Sequence, residues 1–330
     1  MVFVWFGLAA AITVLTAIKL SQYADVISSK TRMGGMLVGT VLLAGATSLP
    51  ELTTSFSAVV IANSDIAIGN MLGSNLFNIF ILAVLDLFYR RHKLFYLANR
   101  NHKYTAFLGL FLMLLVLTAL LFRPGYTLLG GGVDAWLILA AYIAGMIIIS
   151  QMPSPQTRTE TVKDAKDTAA KTASIPVKFA IIGFILTAVI ILGSGTLLSI
   201  TGDEIADVTG LGSSFIGSFL VAAATSLPEA VSVFSALRLK NVNLAIGAIL
   251  GSNMLNMVIL ALSDFVYQDG AILTDVSASH IVSAAGGSFL AAIIIWSFMR
   301  QQTKSLTAYS NPSVIMVVGY FLVQYLVLKG

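Results

Sequence analysis

Ala46-Thr-Ser-Leu-Pro-Glu51 recurs 178 residues later as Ala224-Thr-Ser-Leu-Pro-Glu229. A second polar stretch, Leu72-Gly-Ser-Asn75, recurs at the same offset as Leu250-Gly-Ser-Asn253. Apolar segments often resemble one another by chance, but two polar motifs at one fixed offset indicate an internal repeat. The chain is therefore built from two related units.

The repeated unit extends well beyond the two motifs. Residues 39–89 align with residues 217–267 without a gap, and 26 of the 51 paired positions are identical. The identities include Asn78 and Asn256, three positions after the second motif. We define these segments as the first and second alpha repeats.

The composition places these repeats in a membrane. Of the 330 residues, 57% are hydrophobic and 10% are charged, whereas a soluble domain carries about 25% charged residues. The mean hydropathy of +0.91 agrees. The absence of cysteine from the sequence excludes disulfides, thiolate catalysis and Cys-based zinc or iron–sulfur sites.

Apolar stretches of about 17–25 residues, long enough to cross a bilayer, recur along the chain. They predict an all-α integral membrane protein with ten transmembrane helices, at residues 2–21, 33–62, 66–88, 105–122, 134–150, 177–200, 211–237, 243–266, 279–299 and 312–328. The hydrophilic residues 151–176 form a linker that divides a first half, 1–150, from a second half, 177–330.

The basic residues predict the orientation of these helices. With the N-terminus outside, 17 of the 19 Lys and Arg fall in cytoplasmic loops and helix ends, and only Arg123 and Lys329 remain on the other side. This bias follows the positive-inside rule, and it predicts external termini and a cytoplasmic linker. It also accounts for the net charge of +4 without a nucleic-acid partner.

Five predicted helices separate equivalent points of the two alpha repeats. Because five is odd, the copies cross the membrane in opposite directions, which predicts two inverted five-helix repeats. In transporters built this way, the substrate site lies near the bilayer midplane where the copies meet.

The carboxylates of the first motif are candidates for that site. Glu51 and Glu229 lie midway along apolar stretches, where a charged side chain costs at least about 2.5–3.5 kcal/mol. Pro50 and Pro228 precede them and predict broken core helices, since proline removes a backbone donor. Freed carbonyls, hydroxyls and carboxylates form an all-oxygen set, which Ca²⁺ prefers.

The second motif supplies the opposing surface. Ser74 and Asn78 are four residues apart and share a helical face, and Ser252 and Asn256 repeat the pattern. Small and amide residues also serve as packing contacts in membrane helices. Beside the glutamate motif, we expect them to bind cations.

Other polar residues are weaker candidates. Asp86 and Asp264 are equivalent, but they fall near predicted helix ends, where we expect them at the membrane interface. His92, His102 and His280 lie in predicted loops or at helix ends, without the neighbours of a metal site.

The two motif pairs resemble the alpha repeats of the cation/calcium antiporter superfamily, and most closely its sodium/calcium exchanger branch. The resemblance implies a secondary antiporter, neither an enzyme nor a cofactor-binding protein, that exchanges Ca²⁺ or a related cation for Na⁺ by alternating access at the paired glutamates. The residues that carry it are Gly45–Glu51, Gly69–Asn78, Ala223–Glu229 and Gly247–Asn256.

The resemblance also implies the ligands and the moving parts. The first and sixth helices would slide across the core and open it alternately to each side. The implied side-chain ligands are Thr47, Ser48, Glu51, Ser74 and Asn78 from the first half and Thr225, Ser226, Glu229, Ser252 and Asn256 from the second, with the carbonyls of Ala44 and Ala222 lining sodium sites.

One departure from the family pattern leaves the coupling ion open. Sodium/calcium exchangers usually carry Asp in one repeat at the position of Asn78 or Asn256, and here both are Asn. Two carboxylates neutralise one divalent ion, two Na⁺ or two protons, so H⁺ coupling is the alternative. The proton/calcium branch, however, has Asn-Ala before its glutamate, where this chain has Ser-Leu-Pro.

A cation channel is a more distant alternative, disfavoured because the predicted pseudo-twofold axis lies in the membrane plane. A membrane enzyme ranks lowest, since the sequence has no HExxH, P-loop or Ser/His/Asp pattern. We expect a multi-pass protein of the plasma membrane, a monomer whose partners are inorganic cations and lipid.

Overall fold

The computed structural model describes residues 1–30, 45–152, 175–300, 303 and 305–330. The predicted ligand Ala44, the first part of the predicted helix 33–62 and residues 153–174 of the predicted linker lie outside the described residues. The described chain is helical apart from a short hairpin, in which Thr127 pairs with Gly132 and Leu128 with Gly131.

Nine helices within the described ranges are long and apolar enough to cross a membrane. The predicted spans largely coincide with them, but several helices extend further than hydropathy indicated. Two shorter helices, Leu49–Val60 and Leu94–Leu97, add to these nine. In chain order the helices are α1 Val2–Lys30, α2 Leu49–Val60, α3 Ser64–Phe88, α4 Leu94–Leu97, α5 His102–Phe122, α6 Val133–Gln151, α7 Val177–Thr209, α8 Ser213–Arg238, α9 Val242–Val266, α10 Ser279–Met299 and α11 Leu306–Lys329. The hairpin strands are β1 Thr127–Leu128 and β2 Gly131–Gly132, and a 3₁₀ turn spans Ile272–Thr274.

The proline of the first motif lies at the start of a helix. Helical residues 45–47 are followed by a turn at Ser48, and α2 begins at Leu49 with Pro50 in its first turn. Proline is tolerated there because the first N–H groups of a helix have no intrahelical acceptor. The interruption predicted for this motif therefore coincides with Ser48.

The proline of the second motif lies within a helix. Pro228 is inside the continuous α-helical stretch Ala222–Arg238, so the interruption predicted at this residue is wrong. Neighbouring helices and local adjustments accommodate a proline in a membrane helix without ending it. The irregular backbone of α8 lies earlier, in the π-helical turns Ile216–Val221.

Helices α3 and α9 form the centre of the molecule. In an apolar stretch of 18 residues in each, 67% of the residues are buried, against 22% in α1 and α7 and 17% in α6. Helix α3 contacts α2, α8, α9, α10 and α11. The two helices that carry the Gly-Ser-Asn motif are thus enclosed by protein, and the peripheral helices expose their apolar side chains.

Contacts between helices come in matched pairs when the two halves are exchanged. The equivalent helices α1 and α7, α3 and α9, and α5 and α10 pack directly on each other. The contact of α2 with α9 has its counterpart in α8 with α3, and that of α3 with α11 in α9 with α6. The two halves therefore interlock at the centre.

Asp86 is buried within the protein, at the end of α3. It accepts hydrogen bonds from the hydroxyls of Tyr309 and Ser313, which lie in the first turns of α11. Helix α11 begins six residues before the predicted start at 312, and the added turn brings Tyr309 to the aspartate. The carboxylate thereby joins a core helix to a peripheral one.

Asp264 is buried in the equivalent place at the end of α9. It accepts from the backbone N–H of Gly132, just before α6, and from the N–H of Ile272 at 2.6 Å. The placement of both aspartates at the membrane interface stays a prediction, and the structure adds that both are buried against protein. Hydrogen-bond donors supplied by distant segments compensate for the loss of water around each carboxylate.

Candidate functional site

Reciprocal hydrogen bonds join α3 and α9 at the second motif. Asn75 Nδ2 donates to the carbonyl of Asn253 at 3.2 Å, and Asn253 Nδ2 donates to the carbonyl of Asn75 at 3.4 Å. Asn78 Nδ2 donates to Asn253 Oδ1 at 3.0 Å, and Asn256 Nδ2 donates to Asn75 Oδ1 at 2.9 Å. Each bond has its counterpart at the offset of 178, so the two copies of the motif form equivalent hydrogen bonds with each other.

The two glutamates of the first motif are enclosed beside this junction. Glu51 is 0% exposed and Glu229 is 3% exposed. Ser226 Oγ donates to Glu51 Oε1 at 3.1 Å, which places a serine of one repeat on the carboxylate of the other. Ser252 Oγ lies 3.5 Å from Glu229 Oε1. The structure thus brings the polar residues of both motifs together from both halves.

Neither carboxylate has a basic partner among the described residues. The ion pair that forms within that part of the chain is between His280 and Asp65, at 2.9 Å. Two enclosed carboxylates without a counter-charge require protons or cations to neutralise them.

Several buried oxygens of the two motifs have no hydrogen-bond partner among the described residues. Buried polar atoms in folded proteins are nearly always hydrogen-bonded, so a group of unpaired oxygens indicates a ligand-binding site. All can offer lone pairs, which suits a hard cation and disfavours an anion. These atoms are Glu51 Oε2, Glu229 Oε2, Asn78 Oδ1, Asn256 Oδ1 and Ser48 Oγ.

The remaining predicted ligands lie around the same place. Thr225 Oγ1 is 3.5 Å from Ser74 Oγ and 3.3 Å from the carbonyl oxygen of Ala222. Thr47 is half-buried, in the helical turn that precedes Ser48. Of the twelve predicted ligands, Ala44 is the one that falls outside the described residues.

Two residues that were not predicted as ligands also lie at the site. Asn75 forms the reciprocal bonds described above, and Asn70 accepts from Thr225 Oγ1 at 3.0 Å. Asn70 is four residues before Ser74 and shares its helical face. That spacing is the sequence signal for Asn70. Because Ala248 occupies the matching position of the second repeat, Asn70 is not among the residues that the two repeats share.

The sequence matches the profile of a family described as "Sodium/calcium exchanger protein" over residues 1–151 and 179–329. It is 22% identical over 250 residues to the inner membrane protein YrbG of Escherichia coli (strain K12), a match that covers 76% of this chain and 74% of that protein.

Solved structures share the fold at low sequence identity. The crystal structure of the H⁺/Ca²⁺ exchanger CAX aligns with a TM-score of 0.66 and 14% identity, over 99% of this chain and 89% of that chain. A structure of the sodium-calcium exchanger NCX_Mj aligns with a TM-score of 0.57 and 17% identity, over 97% of this chain and 96% of the other.

Proposed function

Because this chain belongs to the sodium/calcium exchanger protein family, we propose that it exchanges Ca²⁺, or a related cation, for Na⁺ by alternating access at Glu51 and Glu229. The chain is a multi-pass membrane protein of the cation/calcium antiporter superfamily, a group of transporters. The observation that carries the proposal is the pair of enclosed carboxylates that lack any basic partner among the described residues.

The oxygen set around these carboxylates fits a calcium ion. Ca²⁺ takes about 6–8 oxygen ligands at flexible geometry, and the unpaired oxygens of the two motifs lie beside hydroxyls that can reorient. Two negative charges neutralise one such ion. The proposed ligands are Thr47, Ser48, Glu51, Ser74, Asn78, Thr225, Ser226, Glu229, Ser252 and Asn256, with the carbonyls of Ala44 and Ala222.

Alternating access in this proposal rests on two inverted five-helix repeats within ten transmembrane helices. The reciprocal bonds between Asn75 and Asn253 support it, as do the matched helix contacts. We assign residues 1–150 and 177–330 to the two halves and residues 151–176 to a cytoplasmic linker. The peripheral pair α1 and α7, which pack on each other and on α8 and α2, would slide against the core.

The charge count also governs the coupling ion. With asparagine at 78 and 256, two carboxylates balance one Ca²⁺ against two Na⁺ or two H⁺. Three Na⁺ would leave excess positive charge in a site of low dielectric, which is costly. Proton coupling is the second candidate, because protons also neutralise enclosed carboxylates, and these two have no basic partner within the described ranges.

Ion replacement in vesicles tests the proposal. The purified chain is reconstituted into proteoliposomes, and ⁴⁵Ca²⁺ uptake is measured with an outward Na⁺ gradient alone, then with a pH gradient alone. Uptake driven by Na⁺ at two ions per Ca²⁺ supports the proposal, and uptake driven only by protons supports the alternative. Three Na⁺ per Ca²⁺ would refute the two-charge argument.

The same vesicles distinguish an antiporter from a channel. Antiport requires a counter-ion on the opposite side, whereas a channel conducts without one. Uptake that persists without any counter-ion gradient, with bilayer currents beyond antiporter turnover, would favour a channel.

The proposed location is the plasma membrane, with external termini as the basic residues indicate and the monomer as the working unit.

A further inference from the structure

The support of the site differs between the two alpha repeats, although the proposed ligands match. The first repeat has Asn70 and Ser55 where the second has Ala248 and Val233. Both Asn70 and Ser55 are 0% exposed. A buried amide and a buried hydroxyl are costly unless they are paired, so their partners indicate what they do.

Asn70 connects three helices through its side chain. From α3, its Nδ2 donates to Ser55 Oγ at 3.0 Å and to the carbonyl of Glu51 at 3.4 Å, both on α2. Its Oδ1 accepts from Thr225 Oγ1 of α8 at 3.0 Å. The two acceptors on α2 hold the NH₂ end of the amide, and this fixes the direction in which the oxygen points.

The result is a chain of hydrogen bonds with a single direction. Thr225 donates to Asn70, Asn70 donates to Ser55, and Ser55 donates to the carbonyl of Ala67 at 3.4 Å. Linked hydrogen bonds polarise and strengthen one another in a low dielectric. The chain begins at a proposed ligand and ends in the backbone of α3.

This direction determines what Thr225 can offer to a cation. A hydroxyl has one hydrogen and two lone pairs. Asn70 Oδ1, at 3.0 Å, is a nearer acceptor for this hydrogen than the Ala222 carbonyl at 3.3 Å. When the hydrogen points to Asn70 Oδ1, the lone pairs of Thr225 Oγ1 remain for other contacts, and Ser74 Oγ lies 3.5 Å away on the same face of α3 as Asn70. The matching position of the second repeat is Ala248, which has no side-chain amide.

We propose that Asn70 is a positioning residue that turns the Thr225 hydroxyl into a lone-pair ligand for the transported cation, through a bond that the second repeat lacks. This inference rests on the proposed function. The first repeat therefore supplies a fixed frame for a ligand of the second, and the cation affinity of the site depends on residue 70 and not on its counterpart at 248.

A double-mutant cycle in ⁴⁵Ca²⁺ proteoliposomes tests this. Asn70→Ala and Thr225→Val are each expected to raise the KM for Ca²⁺ about tenfold, the scale of one hydrogen bond. Asn70→Ala in the Thr225→Val background is expected to add less than twofold, because the bond is already lost. Effects that multiply, or an unchanged KM in Asn70→Ala, would overturn the inference.

Two further variants separate positioning from mere folding. Asn70→Gln keeps a carboxamide, with an oxygen for the Thr225 hydrogen and an NH₂ for α2, adds no charge, and is expected to keep the KM within threefold. Ser55→Ala removes one of the two acceptors on α2 and is expected to raise the KM two- to threefold. A tenfold rise in Asn70→Gln would overturn the inference even if Asn70→Ala fails to fold. Absence of Ca²⁺ exchange by the unchanged chain would instead contradict the proposed function.

Discussion

The two alpha repeats present the same polar residues to the centre but hold them differently. Glu51 and Glu229, with the serines and asparagines around them, match at every proposed ligand position that the structure describes. In the first repeat, Asn70 forms hydrogen bonds that link α3 to α2 and α8. The matching residue of the second repeat, Ala248, has no side-chain group that could form such bonds. Duplication has kept the ligands alike, whereas the helices that support them have diverged.

Helix α3 also makes a very close backbone contact at its motif glycine. A Cβ on Gly73 would come within 2.2 Å of the carbonyl oxygen of Ser218, in the π-helical turns of α8. A Cβ on Gly109 of α5, by contrast, would lie 3.8 Å from Met254 Cγ, which is an ordinary contact distance. Residue 73 therefore has no room for a side chain beside α8.

The largest effect is expected at the carboxylates, where the comparison predicts equality. Glu51→Gln and Glu229→Gln should each reduce ⁴⁵Ca²⁺ exchange at least about 100-fold, since the loss of one of two charges leaves a divalent ion half-neutralised in a low dielectric. Glu204→Gln, on an exposed residue of α7, is the matched control and should exchange normally. A loss confined to one glutamate would break the equivalence of the repeats.

The next effect is expected at the contact between α3 and α8. Gly73→Ala is expected to destabilise the fold by about 1–3 kcal/mol, as overpacking does, because the added methyl meets backbone that cannot move aside. Gly109→Ala, whose added methyl would lie 3.8 Å from Met254 Cγ, is the matched control and is expected to change little. Thermal unfolding in detergent, followed by size-exclusion chromatography, compares them. Equal unfolding midpoints would contradict the close contact of Gly73 with Ser218.

A smaller and equal effect is expected at the junction of α3 and α9. Asn75→Ala and Asn253→Ala each remove bonds of the same reciprocal set. Each should lower the free energy of unfolding by about 1–2 kcal/mol, because buried partners are left unpaired. Unfolding midpoints that differ by much more than their errors would contradict the reciprocal arrangement.

The smallest effect on the free energy of unfolding is expected at the two buried aspartates, and it should differ between them. Asp86 accepts from two hydroxyls, which can reverse and accept from an amide, so Asp86→Asn is expected to cost less than about 1 kcal/mol. Asp264 accepts from two backbone N–H groups, which can only donate. Asp264→Asn should therefore be the less stable variant, and the reverse order of unfolding midpoints would refute these partners.

Much of this molecule could be predicted from its sequence because the informative residues are duplicated. Polar motifs at one offset identified the repeats, and hydropathy identified most of the helices. Glu51 and Glu229 stood out because a charge inside an apolar stretch is costly. These features are local, or they compare one segment with another, and neither needs knowledge of neighbours.

The remainder depends on contacts that the sequence does not reveal. Whether Pro228 ends a helix depends on the helices packed around it. The burial of Asp86 depends on an extra turn at the start of α11, where hydropathy is low. The role of Asn70 could not be predicted for a related reason. Its hydrogen-bond partners lie on α2 and α8, and the matching residue of the second repeat is alanine, so Asn70 is not a repeated residue.

The measurement that bears most directly on the central claim is ⁴⁵Ca²⁺ uptake by proteoliposomes that carry Glu51→Gln and Glu229→Gln together. The unchanged chain and the Glu204→Gln control should accumulate ⁴⁵Ca²⁺ only when a counter-ion gradient is imposed. The double variant should remain at the level of protein-free vesicles under the same gradient. Uptake that survives both substitutions would contradict the claim that these carboxylates bind the transported cation.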